Sequence, residues 1–247
     1  MPQSNFHTYF DLEWGMFIGA FNENRTHQHY AVQLSIAIEE EIEIVDGDSR
    51  SLTGDSILIK SNMNHQLNCQ SNHLLFLFNP ISQIGHFLQK NENSDISIFE
   101  HSVVKKLKEL GLNFIDEKLS YQAFCEEVKS LIFNFDCECK DNLHISDDRI
   151  SESLLYLEKN KNRVVPLAEI ADFSCMSASR FLHLFKQKTN ITYRRAQLWF
   201  RVSKSLPYLS AKSITEVAHQ FGFTDSAHYS KTFKQNFGFT PKFLSKT

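Results

Sequence analysis

Residues 167–171 read Leu-Ala-Glu-Ile-Ala, and residues 214–218 read Ile-Thr-Glu-Val-Ala. Further on, Phe185-Lys186-Gln187 recurs as Phe233-Lys234-Gln235. Each copy gives a short helix with an apolar and small-residue face, a three-residue turn, a capping residue and a second helix of about a dozen residues. Ser177 is the cap in the first copy, and Thr224 or Asp225 in the second. Such an internal repeat admits few folds: it is a helix-turn-helix, written twice. A helix from Ser146 or Asp147 to about Asn160 precedes it.

The spacing within the second copy assigns its faces. Tyr229, Phe233 and Phe237 recur every four residues and point to a core, which leaves Ser226, Ala227, Ser230, Lys231 and Lys234 outside. Gly222 stands where the turn needs a left-handed residue, Gly238 ends the second helix in the same way, and Pro241 prevents its resumption. The aromatics hold the helix, and the small and cationic residues are displayed.

Charge separates this segment from what comes before it. Residues 1–145 carry 10 Lys and Arg against 21 Asp and Glu, a net of −11, whereas residues 146–247 carry 16 against 8, a net of +8. A basic unit behind an acidic one points to a polyanion as partner of the second alone. The overall composition is that of a soluble protein, and the start, MPQSNFHTYF, has no secretory pattern. The longest purely apolar run, Leu74–Phe78, is too short to span a bilayer. Five Cys without paired spacing read as reduced thiols, Cys137 and Cys139 among them, so a cytoplasmic location is expected.

The front is β-rich. Val32, Leu34, Ile36 and Ile38 alternate with other residues, Ile42 and Ile44 carry the pattern to Asp46-Gly47, Gly54-Asp55 makes a second turn, and Ile57 and Ile59 resume it. HLLFLF, residues 73–78, is a further buried strand before Asn79-Pro80. Short strands at close intervals indicate a small barrel or a sandwich. From about residue 81 the period becomes helical. Val103, Val104, Leu107 and Leu110 form one face stopped at Gly111; Phe124, Val128, Leu131, Ile132 and Phe135 form another, which packs on the strands or pairs with its copy in a dimer. Polar residues 139–148 read as the linker. The class is α+β in two domains, 1–145 and 146–247.

From about Asp147 to Leu244 the sequence resembles the AraC/XylS family of bacterial transcription regulators. GFTDSAHYSKTFKQNFGFTP resembles that family's second helix-turn-helix almost position by position, and IADFSCMS with SASRFLHLFKQKTNIT resembles the first more loosely. The resemblance implies two recognition helices in successive major-groove faces of one duplex, about 34 Å apart. Carried over by position, Ser179, Leu182, His183, Ser226, Ala227 and Lys231 face bases, while Arg180, Lys186, Arg194, Arg195, His228 and Lys234 contact phosphates. It also implies RNA polymerase as a partner if the protein activates. Three departures bear on the geometry: Cys175 where the first turn usually has Gly, Tyr193 in place of Pro after the first recognition helix, and Pro207 inside the joining helix, roughly Tyr193 to Leu209.

The front resembles the cupin-like sensor domain common in this family, through His27-x-His29, Gln33, the Asp46-Gly47 hairpin, Gly54-Asp55 and His65. What this implies is a small cupin-like β-barrel with trailing helices, a small-molecule effector held near Arg25, His27, His29, Gln33 and His65, and a homodimer through residues 119–136. Enzymatic cupins hold a metal with two His, a Glu and a later His. Here Gln33 replaces the Glu, and a neutral amide is a poor ligand, so no metal or other cofactor is expected. Two rivals remain: a metal-dependent cupin enzyme, and a regulator whose basic domain docks on another protein.

Overall fold

The computed structural model describes residues 7–10, 13–20, 25–80, 82–90, 94–132, 147–189, 191–237 and 239–246. Contacts divide the chain into two compact units, residues 1–139 and 140–247. Most of the expected linker, together with Phe135, Cys137, Cys139, Ser146 and Gly238, lies outside the described residues. Among the described residues no helix is long and apolar enough to cross a membrane.

The first unit opens with strands β1 (His7–Phe10), β2 (Trp14–Gly19), β3 (Val32–Ala37), β4 (Ile42–Asp46), β5 (Ser51–Gly54), β6 (Ser56–Ile59), β7 (His65–Asn68) and β8 (His73–Phe78). Helix α1 (Gln83–Lys90), strand β9 (Ile96–Ile98), and helices α2 (Ser102–Ile115) and α3 (Tyr121–Ile132) complete it. One sheet has the order β1-β2-β8-β3-β6-β9 and the other β5-β4-β7. All neighbours are antiparallel. Register places Leu34 opposite both Phe76 and Leu58, and Met16 opposite Phe76. Because alternate residues take opposite faces, Leu34, Met16, Leu58 and Phe76 join the helices in one core, with Leu107, Phe124, Val128 and Ile132. The other face of β3 carries Gln33 and Ser35, both buried.

One local reading is corrected. The expected stop at Gly111 is not one, since α2 continues to Ile115. Gly111 is buried instead, and a Cβ there would lie 2.8 Å from Ile38 Cδ1. The glycine therefore lets the helix approach the sheet. The expected Asp46-Gly47 hairpin is present, and its left-handed residue is Ser49, at φ 65°. Asp46 Oδ1 ties the loop by accepting from the amides of Asp48 and Arg50. The apolar stripe of α3 is also settled, because Phe124, Val128 and Ile132 are fully buried in their own unit.

The second unit is helical: α4 (Asp148–Lys159), α5 (Leu167–Phe173), α6 (Ala178–Thr189), α7 (Tyr193–Ser205), α8 (Ile214–Gln220) and α9 (Ser226–Phe237). Asp147 caps α4 by accepting from the Arg149 amide. Ser213 and Glu216 form a reciprocal capping box on α8. The joining helix ends at Ser205, and Leu206–Tyr208 form a single 3₁₀ turn around Pro207. Leu206 keeps helical backbone, at φ −52° and ψ −47°, but Pro207 has no amide to donate and its ring crowds the carbonyl one turn back, so the α-helix gives way to the 3₁₀ turn.

Candidate functional site: the nucleic-acid interface and the histidine cluster

The two helix-turn-helix units share one hydrogen-bond pattern. In the first, the amides of Ser174, Cys175 and Met176 donate to the carbonyls of Ile170, Asp172 and Ala171. In the second, Phe221, Gly222 and Phe223 donate to Val217, His219 and Ala218. Cys175 and Gly222 both adopt left-handed backbone, at φ 53° and 70°. The turn thus keeps its shape where Cys replaces Gly, at a steric cost that Gly does not incur. The units differ in length: Ser174–Ser177 separate α5 from α6, and Phe221–Asp225 separate α8 from α9. With the cap counted apart, the first turn has the expected three residues, Ser174–Met176, and the second has one more, Phe221–Thr224. The caps are Ser177, whose Oγ accepts from the Arg180 amide, and Asp225, whose Oδ1 accepts from the His228 amide at 2.7 Å.

Inside each unit the aromatics lock the second helix. Phe181 and Phe185 on α6 are fully buried, as are Tyr229 and Phe233 on α9. Tyr193 meets Phe181 and Phe185 edge-on and donates its hydroxyl to the Val165 carbonyl at 2.8 Å. Burial raises its phenol pKa. An aromatic anchor thus stands in the position where proline was expected. In the second unit, Arg201 is 4% exposed, donates from Nε to the Phe221 carbonyl at 2.7 Å, and stacks on Phe223. Sequence reading missed this residue. Its signal was spacing, because Arg201 follows Tyr193 and Gln197 at intervals of four on the buried stripe of α7.

Of the residues assigned to bases, Ser179, Leu182, His183, Ala227 and Lys231 are exposed and Ser226 is half-buried. Of those assigned to phosphates, Arg180, Lys186, Arg194 and Lys234 are exposed, while Arg195 and His228 are half-buried. Desolvation lowers the Arg195 pKa. The His228 ring rests edge-on against Phe223, 5.3 Å between centroids. The exposed side chains of α6 and α9 make two separate polar faces, each backed by the aromatic core of its own unit.

In the first unit of the chain, His27, His29 and His65 converge, with their nearest ring nitrogens within 4.8 Å of one another. Each Nδ1 faces a backbone carbonyl: His27 that of Arg25 at 2.7 Å, His29 that of Ala31 at 3.0 Å, and His65 that of Met63 at 2.9 Å. Each Nδ1–H therefore donates, and each Nε2 is left as an acceptor. The Gln33 amide lies 2.9 Å from His29 Nε2, 3.2 Å from His65 Nε2 and 3.0 Å from Ser35 Oγ. An amide's oxygen and nitrogen exchange places by rotation without change of shape. The orientation that matches donors to acceptors turns the Gln33 NH₂ to the His29 and His65 imidazoles and its oxygen to the Ser35 hydroxyl. Burial, and then the neighbouring His29, pushes the His27 pKa down to about 3, and burial holds His65 well below its usual value.

Three neutral imidazoles are a competent donor set for a borderline transition metal. In that orientation the Gln33 amide donates to two of the three, so a metal would have to displace it, and a neutral amide in place of a carboxylate does not fit a resident metal. It is also closed. His27, His29, Gln33 and His65 are buried, and only the Arg25 side chain of the expected effector group is exposed.

Comparison with known proteins agrees with this geometry. Residues 170–247 match a family described as a helix-turn-helix domain. An HTH-type transcriptional regulator of Pseudoalteromonas carrageenovora is 27% identical over 107 residues, 43% of this chain and 64% of its own, so the match spans just under two thirds of that relative. LumQ of Photobacterium leiognathi, a probable transcriptional regulator, is 21% identical over 91% of this chain and 93% of its own. Among solved structures, apo ToxT from Vibrio cholerae superposes with a TM-score of 0.65 at 16% identity, over 94% of this chain and 97% of its own. ToxT has also been crystallised with an unsaturated fatty acid bound, and that structure superposes with a TM-score of 0.58, likewise at 16% identity. The fold, the duplicated turn and the matched segment converge: the C-terminal unit of this chain is a helix-turn-helix domain similar to those of HTH-type transcriptional regulators.

Proposed function

We propose that the protein is a sequence-specific DNA-binding transcriptional regulator in the cytoplasm. It sets α6 and α9 into successive major-groove faces of one duplex, and its acidic front domain, residues 1–145, tunes that binding. One observation carries the reading: two helices with the same buried aromatic spacing, on the same left-handed turn, each display exposed polar and cationic side chains within a segment of net charge +8. Ser179, Leu182, His183, Ser226, Ala227 and Lys231 face the bases. Arg180, Lys186, Arg194, Arg195, His228 and Lys234 hold phosphates, which give affinity without sequence information.

That ToxT has been crystallised with an unsaturated fatty acid bound supports reading this chain as an effector-responsive regulator. RNA polymerase is a partner if the regulator activates. A homodimer through residues 119–136 would use the outer face of α3, with half-buried Leu131 at its edge. Phe124 is committed to its own core. Selection of duplexes from a random pool by the full chain, followed by affinity measurements over a range of salt, tests the reading. The expected outcome is one enriched motif with two half-elements about one helical turn apart, and affinity that falls steeply with salt. No enrichment, or binding indifferent to salt, would overturn it and favour docking on another protein.

A further inference from the structure

We infer that the front domain holds a small cationic amphiphile in a cleft of about 510 Å³ where β1 and β2 meet the α2–α3 turn. Its lining shares no residue with the histidine cluster, and its size is in the range of ligand sites, about 300–1,000 Å³. Ile18, Phe114, Ile115 and Leu119 give it apolar walls continuous with the domain core. These walls are held firmly. Phe114 stacks on Phe124, 4.7 Å between centroids, and Tyr121 ties α3 to β1 by donating to the Thr8 carbonyl at 2.6 Å. Gly19, at φ 142°, brings bare backbone to the cleft in a conformation that a side chain would oppose.

The polar lining selects the charge. Glu117 stands at the rim, exposed and held at φ 57° by the capped end of α2, where its amide donates to the Phe114 carbonyl. Among the described residues its carboxylate has no ion-pair partner, and no Lys or Arg lines the cleft. His7 is half-buried against Phe114 and Tyr121, and burial favours its neutral form, so it offers no positive charge. The domain carries a net charge of −11, which concentrates cations at its surface. An anionic head would meet a carboxylate with no cation in compensation; an ammonium meets Glu117, with the Phe114 ring beside it.

That occupancy of the cleft informs DNA binding rests on the function proposed above; the binding itself does not. The probes are three compounds of one shape: 4-phenylbutylammonium, 4-phenylbutan-1-ol and 4-phenylbutyrate, titrated calorimetrically into the full chain without DNA. The ammonium should bind about tenfold or more tightly than the carboxylate, with the alcohol between them. Glu117→Gln should weaken the ammonium about three- to fivefold, as for an exposed ion pair, and leave the alcohol unchanged. Leu119→Trp, which fills the cleft from a half-exposed position, should weaken all three. Carboxylate binding as tight as ammonium binding, or ammonium binding indifferent to both substitutions, would overturn the inference. If the ammonium fails to bind while duplex selection succeeds, only the cleft proposal falls. If the ammonium binds and no duplex is selected, the cleft stands and the regulator reading falls.

Discussion

Arg201 lays its guanidinium carbon 4.2 Å from the centre of the Phe223 ring. Through Nε it also donates to the Phe221 carbonyl, at the end of α8. One buried cation thus meets the negative end of a helix and the face of an aromatic ring, and it does so at the turn that aims α9. Burial lowers its pKa to about 10, still far above neutrality. Arg201→Met should cost about 1–3 kcal/mol, the penalty of leaving a buried carbonyl unpaired. Denaturant midpoints of the two proteins would measure it. An unchanged midpoint would show that the turn holds itself without Arg201.

The turns themselves give a second test, because the same conformation is occupied by different residues. Cys175→Gly should stabilise by up to about 1 kcal/mol, the relief of left-handed strain less the added freedom of the unfolded chain. Gly222→Ala should destabilise by more than about 1 kcal/mol. It adds the same strain, and its Cβ would lie 3.0 Å from both Arg163 Cα and the Asn162 carbonyl. Thermal unfolding of both variants should move in opposite directions.

Lys231 and Lys234 lie one turn apart on α9, and both are exposed. Lys231→Ala should weaken specific binding by about 1–3 kcal/mol and relax preference at one base pair. Lys234→Ala should lower affinity evenly across sequences and reduce the salt slope by about one. Competition assays with single-base variants of the selected site distinguish the two. Equal, nonselective losses from both would reject the division between base and phosphate contacts.

In the histidine cluster, replacing the amide by a carboxylate removes the donors that close it. Gln33→Glu should gain one divalent ion per chain, read by Co²⁺ absorption or Zn²⁺ stoichiometry, where the parent protein takes none. Uptake by the parent protein would show that the amide does not occupy the imidazoles.

Acid should unfold the front domain early. His27, His65 and His73 have pKa values depressed by burial, to about 3 for His27 and about 4 for His73. The unfolded chain takes up protons near the ordinary value of 6.5 and the folded one does not, so stability is greatest above that pH. As pH falls from about 6.5 towards 3–4, each group removes about 1.4 kcal/mol per pH unit. Unfolding monitored at Trp14 between pH 7 and 4 should show this decline, and His73→Asn should reduce its slope.

How far the sequence revealed this depended on whether each signal was local. Alternation along Val32–Ile38 marked β3 because its neighbours in sequence differ in polarity. Strand β2, Trp14–Gly19, escaped notice because every residue in it is buried and Gly15 and Gly19 interrupt its apolar run, so neither a period nor a continuous run survives. Gly111 reads alike whether it ends a helix or lets one approach a sheet, and only Ile38, distant in sequence, decides between them. The exposed face of α9 followed directly from its aromatic spacing. The histidines were foreseen as a group, but their closure by Gln33 and Ser35 required knowing that β3 turns both side chains to one face. Arg201 and the cleft at Glu117 depend on contacts between remote segments, which no window of sequence contains.

The extra residue before α9 has a practical consequence. Buried positions of the two recognition helices correspond at a spacing of 48, Phe181 with Tyr229 and Phe185 with Phe233, whereas the turns correspond at 47, Cys175 with Gly222. A chimera that swaps the readers by counting from the turn would rotate every displayed side chain by about 100° and slide it about 1.5 Å. Only exchanges counted from the aromatics would transplant a DNA preference intact.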